Sequence, residues 1–176
     1  MEIRPATTAD AAAIAGIYGH HVLHGTASYE TVPPDAAEMT ARMARVLGNG
    51  WPWLVGADAT GAVIGYAYAT QFRDRAAYRY VCEDSIYIAD AARGQGLGKA
   101  LLTALVAAYE AAGFRQMIAV IGGAEPASEA LHARLGFTVA GRLENIGRKH
   151  GRWLDTLYMQ RALGPGADAA PPEEPA

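Results

Sequence analysis

Residues 86–99, Ile86-Tyr87-Ile88-Ala89-Asp90-Ala91-Ala92-Arg93-Gly94-Gln95-Gly96-Leu97-Gly98-Lys99, constrain the fold more than any other part of this 176-residue chain. They run from a β-branched and aromatic stretch through a glycine-rich turn directly into a helical pattern. From Lys99 to Ala112 the rows Leu101, Leu105, Tyr109 and Leu102, Val106 fall on one face, and Gly113 stands where a helix takes its left-handed stop. Gly94, Gly96 and Gly98 let the backbone approach a ligand closely and adopt positive φ. The free N–H groups and the dipole of the helix start point at the same place, so the segment is an anion cradle whose natural ligand is phosphate.

Spacing narrows which phosphate. A nucleotide P-loop read onto Gly98-Lys99 needs glycine where Arg93 stands and Ser or Thr where Ala100 stands, so it is rejected. The dinucleotide fingerprint started at Gly94 puts its third glycine at Lys99, and started at Gly96 puts it at Leu101, so it fails as well. The pattern left is Arg93-x-x-Gly96-x-Gly98.

The remaining segments predict a mixed α/β domain. A strand is expected at Glu2 to Arg4 and a first helix from about Ala9 to His21, with Ile14, Ile17 and Tyr18 at helical spacing. Asp35 and Glu38 form a capping-box pattern for a second helix that ends at Gly48-Asn49-Gly50. Trp53 to Gly56 and Val63 to Ala69 read as a hairpin, followed by a strand at Tyr80 to Ile88. Met117 to Ile121 is a continuous apolar run of the kind covered on both faces by helices. A short helix from Pro126 to Leu135 precedes strands near Phe137 to Asn145 and Trp153 to Arg161. From Gly164 to Ala176 the Gly, Pro, Ala, Asp and Glu composition predicts a disordered tail, which leaves 1–163 as the domain.

Composition closes off other classes. Half the residues are apolar and 19% are charged, which is enough to bury one domain core. A formal charge of −3 with no Lys/Arg run argues against nucleic acid as a partner. No apolar run approaches the roughly 20 residues of a membrane span, and Met1-Glu2-Ile3-Arg4-Pro5 lacks a signal-peptide h-region, so a cytoplasmic protein is expected. The single cysteine, Cys82, allows no intramolecular disulfide.

Glu83 and His132 are the acid–base candidates. A carboxylate in the apolar strand Val81-Cys82-Glu83-Asp84-Ser85-Ile86-Tyr87 is either an edge-strand acid facing water or a buried group with a raised pKa, suited to be a general base. His132, in a short helix beside Leu131 and Leu135, is on base rates a packed structural residue. Regular strand alternation turns Cys82 away from Glu83, so it reads as a small core residue and not as a nucleophile. His20, His21 and His24 lack an acidic third partner and stand at a helix C-terminus, where histidine is favourable anyway, so no metal site is assigned.

Arg93-x-x-Gly96-x-Gly98 resembles the pyrophosphate loop of the GCN5-related N-acetyltransferase (GNAT) superfamily. In that superfamily a Gln/Arg-x-x-Gly-x-Gly/Ala pattern cradles coenzyme A. Glu83-Asp84-Ser85-Ile86-Tyr87, His132 four residues before Gly136-Phe137, and Lys149-His150-Gly151-Arg152-Trp153-Leu154-Asp155 resemble its phosphinothricin and methionine-sulfoximine acetyltransferase branch, over Ile3 to about Leu163.

The resemblance implies a GNAT fold, a mixed sheet of about six to seven strands flanked by about four helices. It implies acetyl-CoA as cosubstrate, a small amino-acid-like acceptor, and a homodimer. Glu83 then acts as base. His132 occupies the position where the superfamily carries a tyrosine that protonates the departing thiolate. Ile86, Tyr87 and Ile88 are expected to hold the pantetheine like an added strand, and Arg93, Gly94, Gln95, Gly96, Leu97, Gly98 and Lys99 the pyrophosphate.

Tyr29, Arg73, Asp74, Arg75, Tyr78, Asp84 and Ser85 are expected on the substrate side. Lys149 and His150 complete that pocket, from the same or a neighbouring subunit. Glu125 stands where many relatives have asparagine and cannot donate an amide hydrogen bond, while Ser128 remains available. A protein N-terminal acetyltransferase and a non-catalytic acyl-CoA-sensing module are the alternatives.

Overall fold

The computed structural model describes residues 1–173; residues 174–176, the end of the expected disordered tail, lie outside the described residues. The elements run β1 (Glu2–Pro5), α1 (Ala11–His24), α2 (Ala36–Gly48), β2 (Trp53–Ala57), β3 (Val63–Gln71), β4 (Val81–Ile88), α3 (Leu97–Ala111), β5 (Gln116–Gly122), α4 (Pro126–Arg134), β6 (Thr138–Lys149) and β7 (Arg152–Ala162). Seven strands form one sheet in the order β1-β2-β3-β4-β5-β7-β6. β4 and β5 are parallel and every other neighbouring pair is antiparallel.

Several boundaries differ from the sequence expectation for local reasons. The first helix starts at Ala11 because Thr8–Asp10 forms a 3₁₀ turn. Asp10 is tied there by Arg4 at 2.7 Å and by the Thr7 N–H at 2.8 Å. The Arg4 bond holds the Asp10 carboxyl down at about 2 against the opposing effect of burial. α3 begins two residues early because Gly96 takes φ +85° and turns the chain straight into the first helical residue. β6 reaches Lys149, beyond the expected Asn145. His150 (φ +50°) and Gly151 (φ +75°) close a two-residue turn of the kind whose twist matches paired strands.

Two cores flank the sheet. On one face α1 and α2 bury Ile14, Tyr18, Met39 and Met43 against Trp53, Val55 and Tyr66. On the other α3 buries Leu97, Leu101, Leu102 and Leu105 against Ala67, Cys82 and Met117. Each of these fully buried leucines contributes about 1.5–3 kcal/mol of transfer free energy. The α3 anchor brings the glycine turn to the end of β4, which is what positions the site. After β7 the chain makes turns, and the Tyr80 hydroxyl donates to the Glu173 carbonyl oxygen.

Candidate active site

The site comes from a failure of pairing in the middle of the sheet. β4 and β5 pair from Val81↔Gln116 to Asp84↔Ala119 and then part, while β3 still holds Ser85–Ile88 on one side and β7 holds Val120–Gly122 on the other. The gap is a cleft of about 230 Å³ whose walls include Glu83–Tyr87 of β4, the end of β5, and Glu125, Ser128 and His132 of the α4 segment. Within a continuous sheet, the facing backbone groups of Ile86 and Tyr87 have no strand partner, so an extended ligand can supply one. The Ile88 carbonyl is already engaged, by the His21 imidazole at 2.9 Å.

At the mouth of this gap lies the glycine turn. Gly94 (φ +73°) and Gly96 (φ +85°) take conformations costly to side-chain-bearing residues, and space for a Cβ is open at both. The first bond of α3 runs from the Ala100 N–H to the Gly96 carbonyl at 3.1 Å, which leaves the Leu97, Gly98 and Lys99 N–H groups without helical partners. Arg93 is held over the turn by Asp90 at 3.0 Å, and the Lys99 side chain is exposed beside it. Unpaired strand edge, left-handed glycines and a free helix start together fit a long ligand that carries a pyrophosphate. Glu125 lines the cleft as the N-cap of α4 with no side-chain capping bond, and Ser128 lines it one turn later.

Alternation along β4 separates the two acids. Glu83 shares the α1/α2 face with Ser85 and Tyr87, whereas Asp84 shares the opposite face with Cys82. Burial raises the pKa of Glu83, the positive charge of Arg73 opposes the rise and Asp84 adds to it. Cys82 is fully buried, its thiol is pushed well up by burial, and its Sγ lies against the Gln116 carbonyl at 3.5 Å, so it is a core residue.

Asp84, expected on the substrate side, lines the cleft, and its Oδ2 lies 3.1 Å from His132 Nε2, both side chains being 2% exposed. The other imidazole nitrogen, Nδ1, donates to the Ser128 carbonyl at 2.7 Å. Burial alone would lower the pKa of His132. The Asp84 hydrogen bond, the Asp84 charge and the Ser128 carbonyl outweigh it and hold the imidazole above its ordinary value.

The far end of the cleft is closed by the segment between α1 and α2. The Tyr29 hydroxyl donates to the Asp155 carbonyl at 2.9 Å and lies 2.8 Å from Thr156 Oγ1. Its ring fits over Gly147, where a Cβ would lie 2.6 Å from it. Lys149 and His150 bond the same segment of their own chain. Lys149 Nζ donates to the Ser28 carbonyl at 2.6 Å and His150 Nε2 donates to the Gly25 carbonyl at 3.2 Å, because the β6–β7 hairpin folds back over the end of β5.

Arg73, Asp74, Arg75 and Tyr78 stay exposed on the loop after β3 and do not line the cleft. Gln71 Nε2 donates to the Arg73 and Arg75 carbonyls and folds that loop on itself, and the Arg73 guanidinium lies 4.4 Å from the Phe72 ring centroid. The Arg73 charge acts on Glu83 only by opposing the rise in its pKa.

Sequence reasoning missed Gly122, Gly123 and Thr156. A Cβ at Gly122 would sit 2.7 Å from the Thr26 carbonyl, so the glycine pair after the apolar strand was the available signal for a close crossing. It also missed His21, whose role as a lid on the Ile88 carbonyl carries no local signature. His20 pairs with Asp90 at 2.6 Å.

Residues 3–158 match the acetyltransferase (GNAT) domain family. The chain is 52% identical to a phosphinothricin N-acetyltransferase of Alcaligenes faecalis, over 92% of this chain and 82% of that one. It is 40% identical to an L-methionine sulfoximine/L-methionine sulfone acetyltransferase of Pseudomonas aeruginosa, over 95% and 97%. A crystal structure of a GNAT superfamily phosphinothricin acetyltransferase from Sinorhizobium meliloti in complex with acetyl-CoA superposes with a TM-score of 0.96. It is 55% identical and the match covers 98% of this chain and 93% of that one.

Proposed function

The chain belongs to the GNAT acetyltransferase family, and we propose that it acetylates the amino group of a small amino acid of the phosphinothricin or methionine-sulfoximine kind, with acetyl-CoA as the donor. The observation that carries this reading is Glu83, a half-buried carboxylate of raised pKa on the wall of a cleft whose far end is closed by Tyr29. A closed end suits a small acceptor better than a polypeptide. The relatives' acceptors, a phosphinothricin and a methionine sulfoximine or sulfone, support the same class.

Coenzyme A, when bound, supplies a thioester whose carbonyl carbon is open to attack. Everything else is work for the chain. An amine with a pKa of about 8 or above arrives protonated at neutral pH, and Glu83 removes a proton directly or through water. The free backbone N–H groups of the parted β4 edge polarise the acyl oxygen, and those of the glycine turn and α3 start take the pyrophosphate. His132 protonates the leaving sulfur. Ser85, on the cleft wall, serves the acceptor; Arg73 and Arg75 reach its carboxylate only if the loop that carries them, with Asp74 and Tyr78, swings over the cleft from where it now lies.

We further propose a cytoplasmic homodimer with a role in resistance to such amino-acid toxins. The exposed Val139, Leu143, Ile146 and Trp153 on the β6–β7 hairpin support a self-association surface. Release of coenzyme A thiol from acetyl-CoA, measured against phosphinothricin, methionine sulfoximine, methionine sulfone and the common amino acids, is the test. Turnover on at least one of them, lost in Glu83→Gln, is expected. Turnover confined to peptides with a free N-terminus would overturn the small-acceptor reading, and acetyl-CoA binding without any turnover would overturn catalysis.

A further inference from the structure

Resting on that reading, we infer that Asp84 is the positioning residue of the acid: it and His132 hold one proton between them and deliver it, through His132, to the departing thiolate. The geometry leaves few alternatives. His132 Nδ1 lies 2.7 Å from the Ser128 carbonyl, which only accepts, and 3.4 Å from the Ser128 hydroxyl, so the short contact is made with a hydrogen on Nδ1. Nε2 and Asp84 Oδ2 lie 3.1 Å apart in a site almost closed to water, so a hydrogen must stand between them.

Whether it is written on the imidazole or on the carboxyl, the pair is neutral and loaded with one deliverable proton. Without it, an imidazole lone pair would face a carboxylate in a dry site. That repulsion is why the loaded state persists to higher pH than an isolated histidine allows.

The surroundings do not supply a rival. From α4 the ring meets the Ser128 carbonyl and, at 3.4 Å, its hydroxyl; after α4, Phe137 packs edge-on at 5.0 Å. From β4 it meets Asp84, with Cys82 on the same strand face and Glu83 on the opposite one. The other carboxylate oxygen, Oδ1, is buried and has no protein partner among the described residues, so His132 is the one side chain that bonds the Asp84 carboxylate there.

The proton balance closes. The acceptor enters as an ammonium, and one proton goes to Glu83, which passes it to solvent and is a carboxylate again before the nitrogen attacks the acyl carbon. As the N–C bond forms and the C–S bond breaks, the nitrogen loses a second proton to solvent through Glu83. The sulfur takes the proton of the Nε2–Oδ2 bond and leaves as a thiol. One proton from water then reloads the pair, so each turnover releases one proton net.

The test compares the wild-type protein, Asp84→Asn, His132→Gln and the double variant. The ring signal of His132, assigned by its loss in His132→Gln, is followed by NMR against pH in the protein without ligands. It is expected to titrate above the ordinary histidine range in the wild type and below it in Asp84→Asn, where burial acts unopposed. With a working acceptor, Asp84→Asn is expected to lower kcat about 10²-fold, with KM for acetyl-CoA within about threefold, and to move the alkaline limb to lower pH. In the His132→Gln background, Asp84→Asn is expected to cost little more, because the two act as one unit.

An unchanged His132 titration in Asp84→Asn, or fully multiplicative losses in the double variant, would overturn the inference. If Asp84→Asn fails to fold, the wild-type titration decides, and a pKa at or below the ordinary histidine value sinks the idea. Absence of turnover in the wild type would count against the proposed reaction, while the NMR arm would still decide the shared proton.

Discussion

Glu83 and Asp84 are neighbours in sequence and carry the same functional group, yet the two faces of β4 make them opposites. Glu83, on the α1/α2 face, has no direct hydrogen-bond partner among the described side chains and keeps a raised pKa through burial. Asp84, on the face of Cys82, is nearly sealed and bound to an imidazole. A strand turns successive side chains to opposite sides, so one step along the chain moves a carboxylate from a cleft wall without a side-chain partner to a buried contact with an imidazole. Burial alone therefore does not define a catalytic acid; the partner found on arrival does.

The largest effect that could break this contrast is Glu83→Gln, which preserves shape and removes the free carboxylate. It is expected to lower kcat about 10³-fold and to erase the acidic limb of the pH–rate profile. A loss of less than about tenfold in steady-state assays would return the base role to some other group.

A smaller expected effect tests the closed end. Gly147→Ala pushes a methyl into the Tyr29 ring, and KM for the acceptor should rise about tenfold while KM for acetyl-CoA holds. Equal changes in both constants would show that Tyr29 does not close the acceptor side.

Stability against pH sharpens the comparison further. Both Glu83 and His132 have raised folded-state pKa values, so the folded chain binds more protons than the unfolded one and stability falls as pH rises. The Glu83 contribution is full below about 4.5 and is lost as pH rises through its folded value; that of His132 is full below about 6.5 and is lost above its own. Denaturant titrations across pH should show the lower window vanish in Glu83→Gln and the upper one in His132→Gln. Asp10 has the reverse sign: its contribution is present above about 3.8 and is lost as pH falls toward about 2.

The smallest catalytic effect belongs to Cys82→Ala on the sealed face. It should leave kcat within about twofold and cost roughly 1–2 kcal/mol of stability in the same titrations, as a small core truncation does. A collapse of kcat would reopen a covalent route through the thiol.

Much of this was legible locally. The glycine turn, the apolar face of α3 and the capping pattern of α2 are signals within ten or so residues, and each helix stands within two residues of where its signal put it. Less legible were the loop at Arg73–Tyr78, folded on itself by Gln71, and the true neighbours of Lys149 and His150, which lie more than a hundred residues away in the chain.

By itself the sequence determined the glycine turn at the start of α3, the strand that carries Glu83 and the short helix that carries His132, because helical and strand periodicities and left-handed glycines are properties of adjacent residues. Only the tertiary structure decided that β4 and β5 part after Asp84↔Ala119, that Tyr29 closes the gap over Gly147, and that Asp84 spends its carboxylate on His132. These depend on contacts across 35 to more than a hundred residues of chain. Chain connectivity does not encode such contacts, and they form only when burial of the two cores brings the distant groups together.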